Sequence, residues 1–259
     1  MTESEREAVE LLFNLANVDR LELLREIDKS KSRLSTLAKR IDVTAQECFR
    51  HLVRLSDSGM IAKDREGAYQ TTPLGKTILN LLPALQFLLE YKDYFKQHDL
   101  SLIPNSMVER IGELAGGEYL NHTSKVIDHL MATISGAKKY VWIAADQPVK
   151  IGRRIGENFS SHELPVRLIC EPGITNQLLA ETKSNLPNSE VRILQSLNTM
   201  VAMNEVVAGV FFPGLNSKLD FCAGFSGKDI RFREWCADLF ENFWSRSKPS
   251  YGHLNGSEK

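Results

Sequence analysis

The chain has 259 residues, 42% hydrophobic and 25% charged, with 32 Lys and Arg against 33 Asp and Glu. The apolar content excludes disorder as the main state, the length admits one large domain or two ordinary ones, and the cancelling charges remove any whole-molecule electrostatic argument for a nucleic-acid or membrane partner. Cys48, Cys170, Cys222 and Cys236 form no C-x-x-C pair, so neither a zinc site nor a disulfide framework is expected and a reducing compartment suits the chain; no G-x-G-x-x-G, P-loop or H-E-x-x-H occurs, so no cofactor or other metal is expected. The N-terminal MTESEREAVE is acidic and has no apolar signal core. The greasiest run, 78–89, is interrupted by Asn80, Pro83 and Gln86 and falls short of the roughly 20 residues of a membrane span. A soluble, cytoplasmic, membrane-free protein is the expectation.

Helical patterning is dense from Glu5 to about Leu82, and β-rich runs begin near Tyr140. This predicts a multi-domain α+β chain: a helical domain over 1–82, a helical connector over 83–120, an α/β domain over 121–248 and a flexible tail over 249–259. Charge is segregated within the first domain. Residues 1–28 carry three Arg against eight Asp and Glu, whereas residues 29–65 carry nine Lys and Arg against four Asp and Glu. A local excess of five positive charges is the footprint that a phosphate backbone requires.

Inside the basic block, Arg33–Arg40 places Leu34, Leu37 and Ala38 on one helical face. Ile41-Asp42-Val43 breaks that helix. Thr44 with Glu47 three residues later is a capping box, so a second helix starts at Ala45 and runs to about Ser58, with Cys48, Leu52 and Leu55 inward and Gly59 as its stop. Ile61–Lys63 and Tyr69–Thr71 then flank the polar turn Asp64-Arg65-Glu66-Gly67 as a basic hairpin. The lone His51 is read as a packed residue rather than a metal ligand.

Further on, the connector offers Leu82, Leu85 and Leu89 on a broad apolar face, suited to a homodimer contact. Strands are predicted at 140–144, 166–170, 191–194, 201–204, 206–212 and 219–225, with helices between the first several, which gives an α/β sandwich on a mixed sheet. The final run 230–247 is one amphipathic helix rich in Phe and Trp. Asp146 follows a strand at its carboxyl end, where α/β sheets place ligand contacts. Together with Arg167, Arg192 and Glu205 it forms a candidate effector pocket.

The stretch ECFRHLVRLSDSGMIAK (47–63) resembles the recognition-helix-to-wing segment of arsenic-repressor-like winged-helix regulators. FCAGFSGKDIRFREWCADLFENFWSRS (221–247) resembles the end of phospholipase-D-like domains. Together they resemble archaeal two-domain transcriptional regulators, those named for control of methanogenesis and filament formation and the related TrmB family. The resemblance implies a dimeric, double-stranded-DNA-binding regulator whose C-terminal domain senses a small molecule or a protein. In that docking geometry Thr44, Gln46 and Arg50 face base edges, while Ser35, Thr36, Lys39, Arg54, Lys63 and Arg65 face phosphates.

The catalytic form of the phospholipase-like fold carries H-x-K-x(4)-D, and here no His is followed two positions later by Lys; His122 meets Lys125 at the wrong spacing. No enzymatic activity is expected. The alternative is an adapter that uses both domains to bind proteins in a transcription or repair assembly.

Overall fold

A computed structural model describes residues 2–146, 164–172 and 188–250. The chain divides into two compact units, residues 1–83 and 84–259.

The first unit runs α1 (Glu3–Leu15), α2 (Val18–Lys29), β1 (Ser32–Arg33), α3 (Leu34–Arg40), α4 (Ala45–Asp57), β2 (Ile61–Lys63) and β3 (Ala68–Thr71), and enters α5 (Pro73–Glu90). Its helix ends follow from local chemistry. Thr2 with Glu5, and Thr44 with Glu47, form reciprocal capping boxes on α1 and α4, and Asn17 caps α2. Asp42 adopts φ 56°, and the Val43 amide donates to the Ala38 carbonyl at 3.1 Å. That left-handed stop is tolerated by Asp and turns the chain from α3 into α4. Leu23, Leu24 and Ile27 of α2, Leu37 of α3, and Cys48, Leu52 and Leu55 of α4 meet Met60, Ile61 and Tyr69 in one core. Strand β1 is a departure from the expected helix at Arg33: Ser32 and Arg33 pair with Tyr69 and Ala68 to make the sheet β1-β3-β2. Two residues are too few to show a period, and the pairing comes from a partner 35 or more positions away in sequence.

The second unit is built on an eight-stranded sheet in the order β11-β7-β6-β5-β8-β9-β10-β4. The strands are β4 (Glu118–Leu120), β5 (Val141–Ala144), β6 (Val166–Cys170), β7 (Ser189–Ile193), β8 (Met200–Asn204), β9 (Ala208–Phe211), β10 (Gly224–Gly227) and β11 (Lys248–Pro249). Strands β5, β6 and β7 are parallel and every other pairing is antiparallel. The helices expected between the parallel strands, and all of the expected tail beyond Ser250, lie outside the described residues.

Alternating side chains feed two cores, as period-2 strands must. Beyond the short helices α6 (Lys92–Phe95) and α7 (Asn105–Glu109), α8 (Thr123–Ser135) turns Val126, Leu130 and Ile134 towards Val141, Ile143, Leu168 and Ala202. Ala144, Ile169, Val201 and Val210 face α9 (Ile230–Arg246), whose Phe232, Trp235, Leu239, Phe240, Phe243 and Trp244 are buried. Phe87, Tyr94, Met107, Ile111 and Leu114 belong to that second core, and the Trp235 indole donates to the Met107 carbonyl at 3.0 Å. The stretch expected as a connector is thus largely part of the second unit.

The strand expected over 219–225 is displaced to Gly224–Gly227. Leu219 makes only an isolated bridge to Pro213, and Asp220, which accepts from the Cys222 amide at 2.7 Å and lies 3.0 Å from His98 Nε2, bends the chain away from the ladder. Gly224 then lets β10 approach β9, since a Cβ there would collide with the Phe211 ring and the Val210 carbonyl.

Candidate nucleic-acid interface

Helix α4 buries Cys48, Leu52 and Leu55 completely and turns Gln46, Arg50 and Arg54 outward at four-residue spacing. The basic block sorts into two groups around it. Lys29 and Arg40 approach Glu26 at 2.6 and 3.6 Å, and Lys31 approaches Asp64 at 3.3 Å. Among the described residues, no carboxylate pairs with the exposed Arg33, Lys39, Arg50, Arg54, Lys63 or Arg65. Ser35 and Thr36 are exposed on α3 beside Lys39.

The hairpin tip is held by Asp64, whose Oδ1 accepts from the amides of Glu66 and Ala68, each at 2.9 Å. The Ala68 amide foremost, with Lys31 and Glu66, keeps that carboxyl below its ordinary range. Gly67 closes the turn at φ 85°, leaving Arg65 exposed at the tip, and the Lys63 ammonium lies 5.5 Å from the Tyr69 ring centroid.

The cations leave an electrostatic mark on His51. Burial first, then Arg20, Arg50 and Arg54, lower its pKa, and Asp19 at 3.7 Å does not reverse this. Arg20 itself is spent on structure: its guanidinium donates to the Asn14 and Phe13 carbonyls at the end of α1, at 2.5 and 3.0 Å.

One of the expected base-edge residues, Thr44, also caps its helix. The Thr44 hydroxyl accepts from the Glu47 amide at 3.2 Å and donates to the Glu47 carboxylate at 2.7 Å. The hydroxyl is engaged in the cap, whereas Gln46 and Arg50 are exposed and stand outside the box. Arg33, expected as the first residue of the helix, is extended instead, at φ −80° and ψ 156°, and exposed ahead of α3.

The four expected effector residues do not converge. Asn204 pairs with Val141 at the start of β5, so Glu205 lies at one end of the strand while Asp146 follows the other, about 20 Å away at ~3.3 Å per residue. The Glu205 carboxylate accepts from the Lys138 and Lys139 amides at 2.8 and 3.2 Å. Burial pushes it up, but the surrounding backbone amides hold it below its ordinary range. Arg167 and Arg192 face α9 and lie 4.9 and 5.0 Å from the Trp244 ring centroid. A cavity of about 200 Å³ instead opens beside Gln97, His98, Asn216, Lys218 and Asp220. His98 stacks on Tyr94 there at 3.6 Å, its Nδ1 2.7 Å from the Tyr94 carbonyl.

Of the expected dimer leucines, Leu85 and Leu89 are exposed and Leu82 is half-buried; Leu81 extends the exposed stripe in its place. Among the described residues no cluster of three His, Cys, Asp or Glu is placed to hold a metal ion, and no helix is long and apolar enough to cross a membrane. The four cysteines are unpaired, and burial pushes the thiols of Cys48, Cys170 and Cys236 up.

Helix, left-handed turn, capped helix and basic hairpin make the first unit a winged helix-turn-helix domain, and the second is a mixed α/β unit. No protein-family profile and no curated protein sequence matches this chain. Among solved structures it is similar to TrmBL2, described as an archaeal chromatin protein with a novel mode of DNA binding: 12% identity, 95% of this chain and 99% of that one, TM-score 0.40. NolR from Sinorhizobium fredii matches at 22% identity over 32% of this chain and 87% of that one, TM-score 0.30. The S-adenosylmethionine-dependent methyltransferase SibL matches at 15% identity over 74% of this chain and 63% of that one, TM-score 0.28. These scores are too low for any of the three likenesses to bear on function.

Proposed function

We propose that this chain is a sequence-specific, double-stranded-DNA-binding transcriptional regulator of the archaeal two-domain kind. The reading rests above all on α4, where an outward face carries Gln46, Arg50 and Arg54 with no carboxylate pairing either arginine among the described residues. An α-helix fits the major groove, Arg pairs with guanine O6 and N7, and Gln with adenine N6 and N7. Ser35, Thr36, Lys39 and Arg33, with Lys63 and Arg65 of the wing, supply the phosphate contacts that set register.

The working form is a homodimer. Exposed Leu81, Leu85 and Leu89 on α5, and Val9, Leu12 and Phe13 on α1, are apolar stripes at helical spacing that one copy leaves in water, and a second copy covers them. A twofold dimer then places two recognition helices on half-sites about 34–36 Å apart. The second unit is a phospholipase-D-like module without the catalytic H-x-K and acts as the effector domain, its cavity at His98 being the place for a small polar effector. Such an effector shifts DNA affinity only as far as it prefers one arrangement of the protein over another.

The test is binding of the full chain to labelled genomic fragments, its own upstream region included, across a salt series, with oligomeric state measured in the same buffers. A dimer with a preferred fragment and a steep salt slope supports the reading. Absence of binding at low salt refutes it and leaves the protein-adapter alternative.

A further inference from the structure

Beside the row of Gln46, Arg50 and Arg54, helix α4 carries a second exposed row: Ala45, Phe49 and Val53, again four residues apart. Phe49 is 52% exposed and Val53 39% exposed, although the same helix buries Cys48, Leu52 and Leu55 completely. The helix thus has apolar residues to spare after its own core is filled. Phe49 also takes no part in the ring contacts of the first unit among the described residues. A phenyl ring held in water between Gln46, Arg50 and the apolar Val53 has to be explained by what the helix meets.

Resting on the DNA-binding reading above, we infer that Phe49 and Val53 form an apolar rail that reads thymine C5-methyl groups in the major groove, next to the base pair contacted by Arg50. The groove wall exposes one apolar group, the thymine methyl, and Phe and Ala side chains are among those that contact it. Charge complementarity selects this occupant over an apolar protein surface. The rail is flanked by Arg50 and Arg54, neither of which forms an ion pair among the described residues, although the Arg50 charge reaches Glu47, and its helix follows Lys39 and precedes Lys63 in the chain. An apolar protein partner covering it would have to bury those cations unpaired, whereas phosphates on either side of a groove neutralise them. The specificity thereby differs in kind from that of Arg50: it rewards a methyl group rather than a hydrogen-bond pattern.

The experiment starts from duplexes that the full-length protein enriches out of a randomised library. Each thymine of the enriched duplex is replaced in turn by uracil, which deletes the methyl and leaves the pairing edge intact. Wild-type protein should lose about fourfold in affinity at one or two adjacent positions, the worth of one buried methyl. Phe49→Ala should bind the thymine and uracil duplexes equally well, and Phe49→Leu should keep part of the discrimination; unfolding midpoints like that of wild type show that the exposed position leaves folding untouched. Equal wild-type binding to thymine and uracil at every position overturns the rail while leaving DNA binding standing. Methyl discrimination that survives Phe49→Ala overturns the assignment to this residue. Failure to enrich any sequence refutes the DNA-binding reading itself, and the rail with it.

Discussion

Arg50 and Arg54 stand exposed on α4 and form no ion pair among the described residues, whereas Arg167 and Arg192 lie over the Trp244 indole, and Arg167 is also 5.1 Å from the Trp142 ring and 2.7 Å from Glu241. Arg192 adds a hydrogen bond to the Trp244 carbonyl at 3.2 Å. The same side chain is a reserve of unspent charge in one unit and a packing element in the other. Guanidinium is weakly hydrated and planar, so it stacks on an indole that the fold lays against it, as Trp244 lies against Arg167 and Arg192. Charge alone would assign all four arginines to ligands; the neighbouring aromatic residues separate them.

The largest way to break this contrast is at Trp244, which seals both sheet arginines. Trp244→Ala should destabilise the second unit by about 3–5 kcal/mol, read in urea unfolding, because it deletes a buried indole. A loss near zero would mean that the stacked arginines are ornaments on an independently stable sheet.

Acid should act on the same unit. His129 is buried, donating or accepting 2.8 Å from the Ser226 hydroxyl and packed against Gly209, where a Cβ would strike its ring. Burial lowers its pKa from the ordinary 6.5 to about 4. The folded state therefore binds this proton less readily than the unfolded chain. The stability that the neutral ring contributes is complete above about pH 6.5 and lost as pH falls towards 4, about 3 kcal/mol in all. Stability measured against pH should lose this component in His129→Asn.

Arg50→Ala tests the other side of the contrast. It should cost about 1–3 kcal/mol of DNA affinity and relax specificity at one base pair, with unfolding unchanged. Arg167→Ala should do the reverse, leaving DNA binding intact and lowering stability by about 1 kcal/mol through lost stacking. If the two variants behaved alike, the division of arginines between units would fail. The smallest effect belongs to the wing: Lys63→Ala should weaken all DNA sequences equally and reduce the salt slope by about one, measured in a salt titration.

Much of the first unit was legible because its signals are local. The Thr44–Glu47 box, the Asp42 turn, the Gly59 stop at φ 72° and the inward spacing of Cys48, Leu52 and Leu55 all act within about two helical turns of chain. Thr44 shows the converse: its exposure and residue type suit a base contact as well as a cap, and only the geometry of its hydroxyl reveals that it is engaged with Glu47. Phe49 was overlooked although the periodicity that buries Cys48 and Leu52 also turns it outward, so its signal was present. In the second unit the strand cores were legible as apolar runs, but the effector set was not. Asp146, Arg167, Arg192 and Glu205 share a chemistry that suggests a pocket, and the register of β5 against β8 puts Asp146 and Glu205 at opposite ends of the sheet.

What the amino-acid sequence determined by itself was the type and span of most elements, the face each helix buries and the concentration of positive charge over residues 29–65, because these depend on residues a few positions apart. What the tertiary structure decided was which charges are spent. Arg167 meets Glu241 across 74 residues, His98 meets Asp220 across 122, and Lys31 meets Asp64 across 33, while Arg50 and Arg54 form no ion pair among the described residues. Partners at such separations are brought together by sheet order and helix packing, for which chain spacing carries no period, so the availability of a charged side chain emerges only once the fold has closed around it.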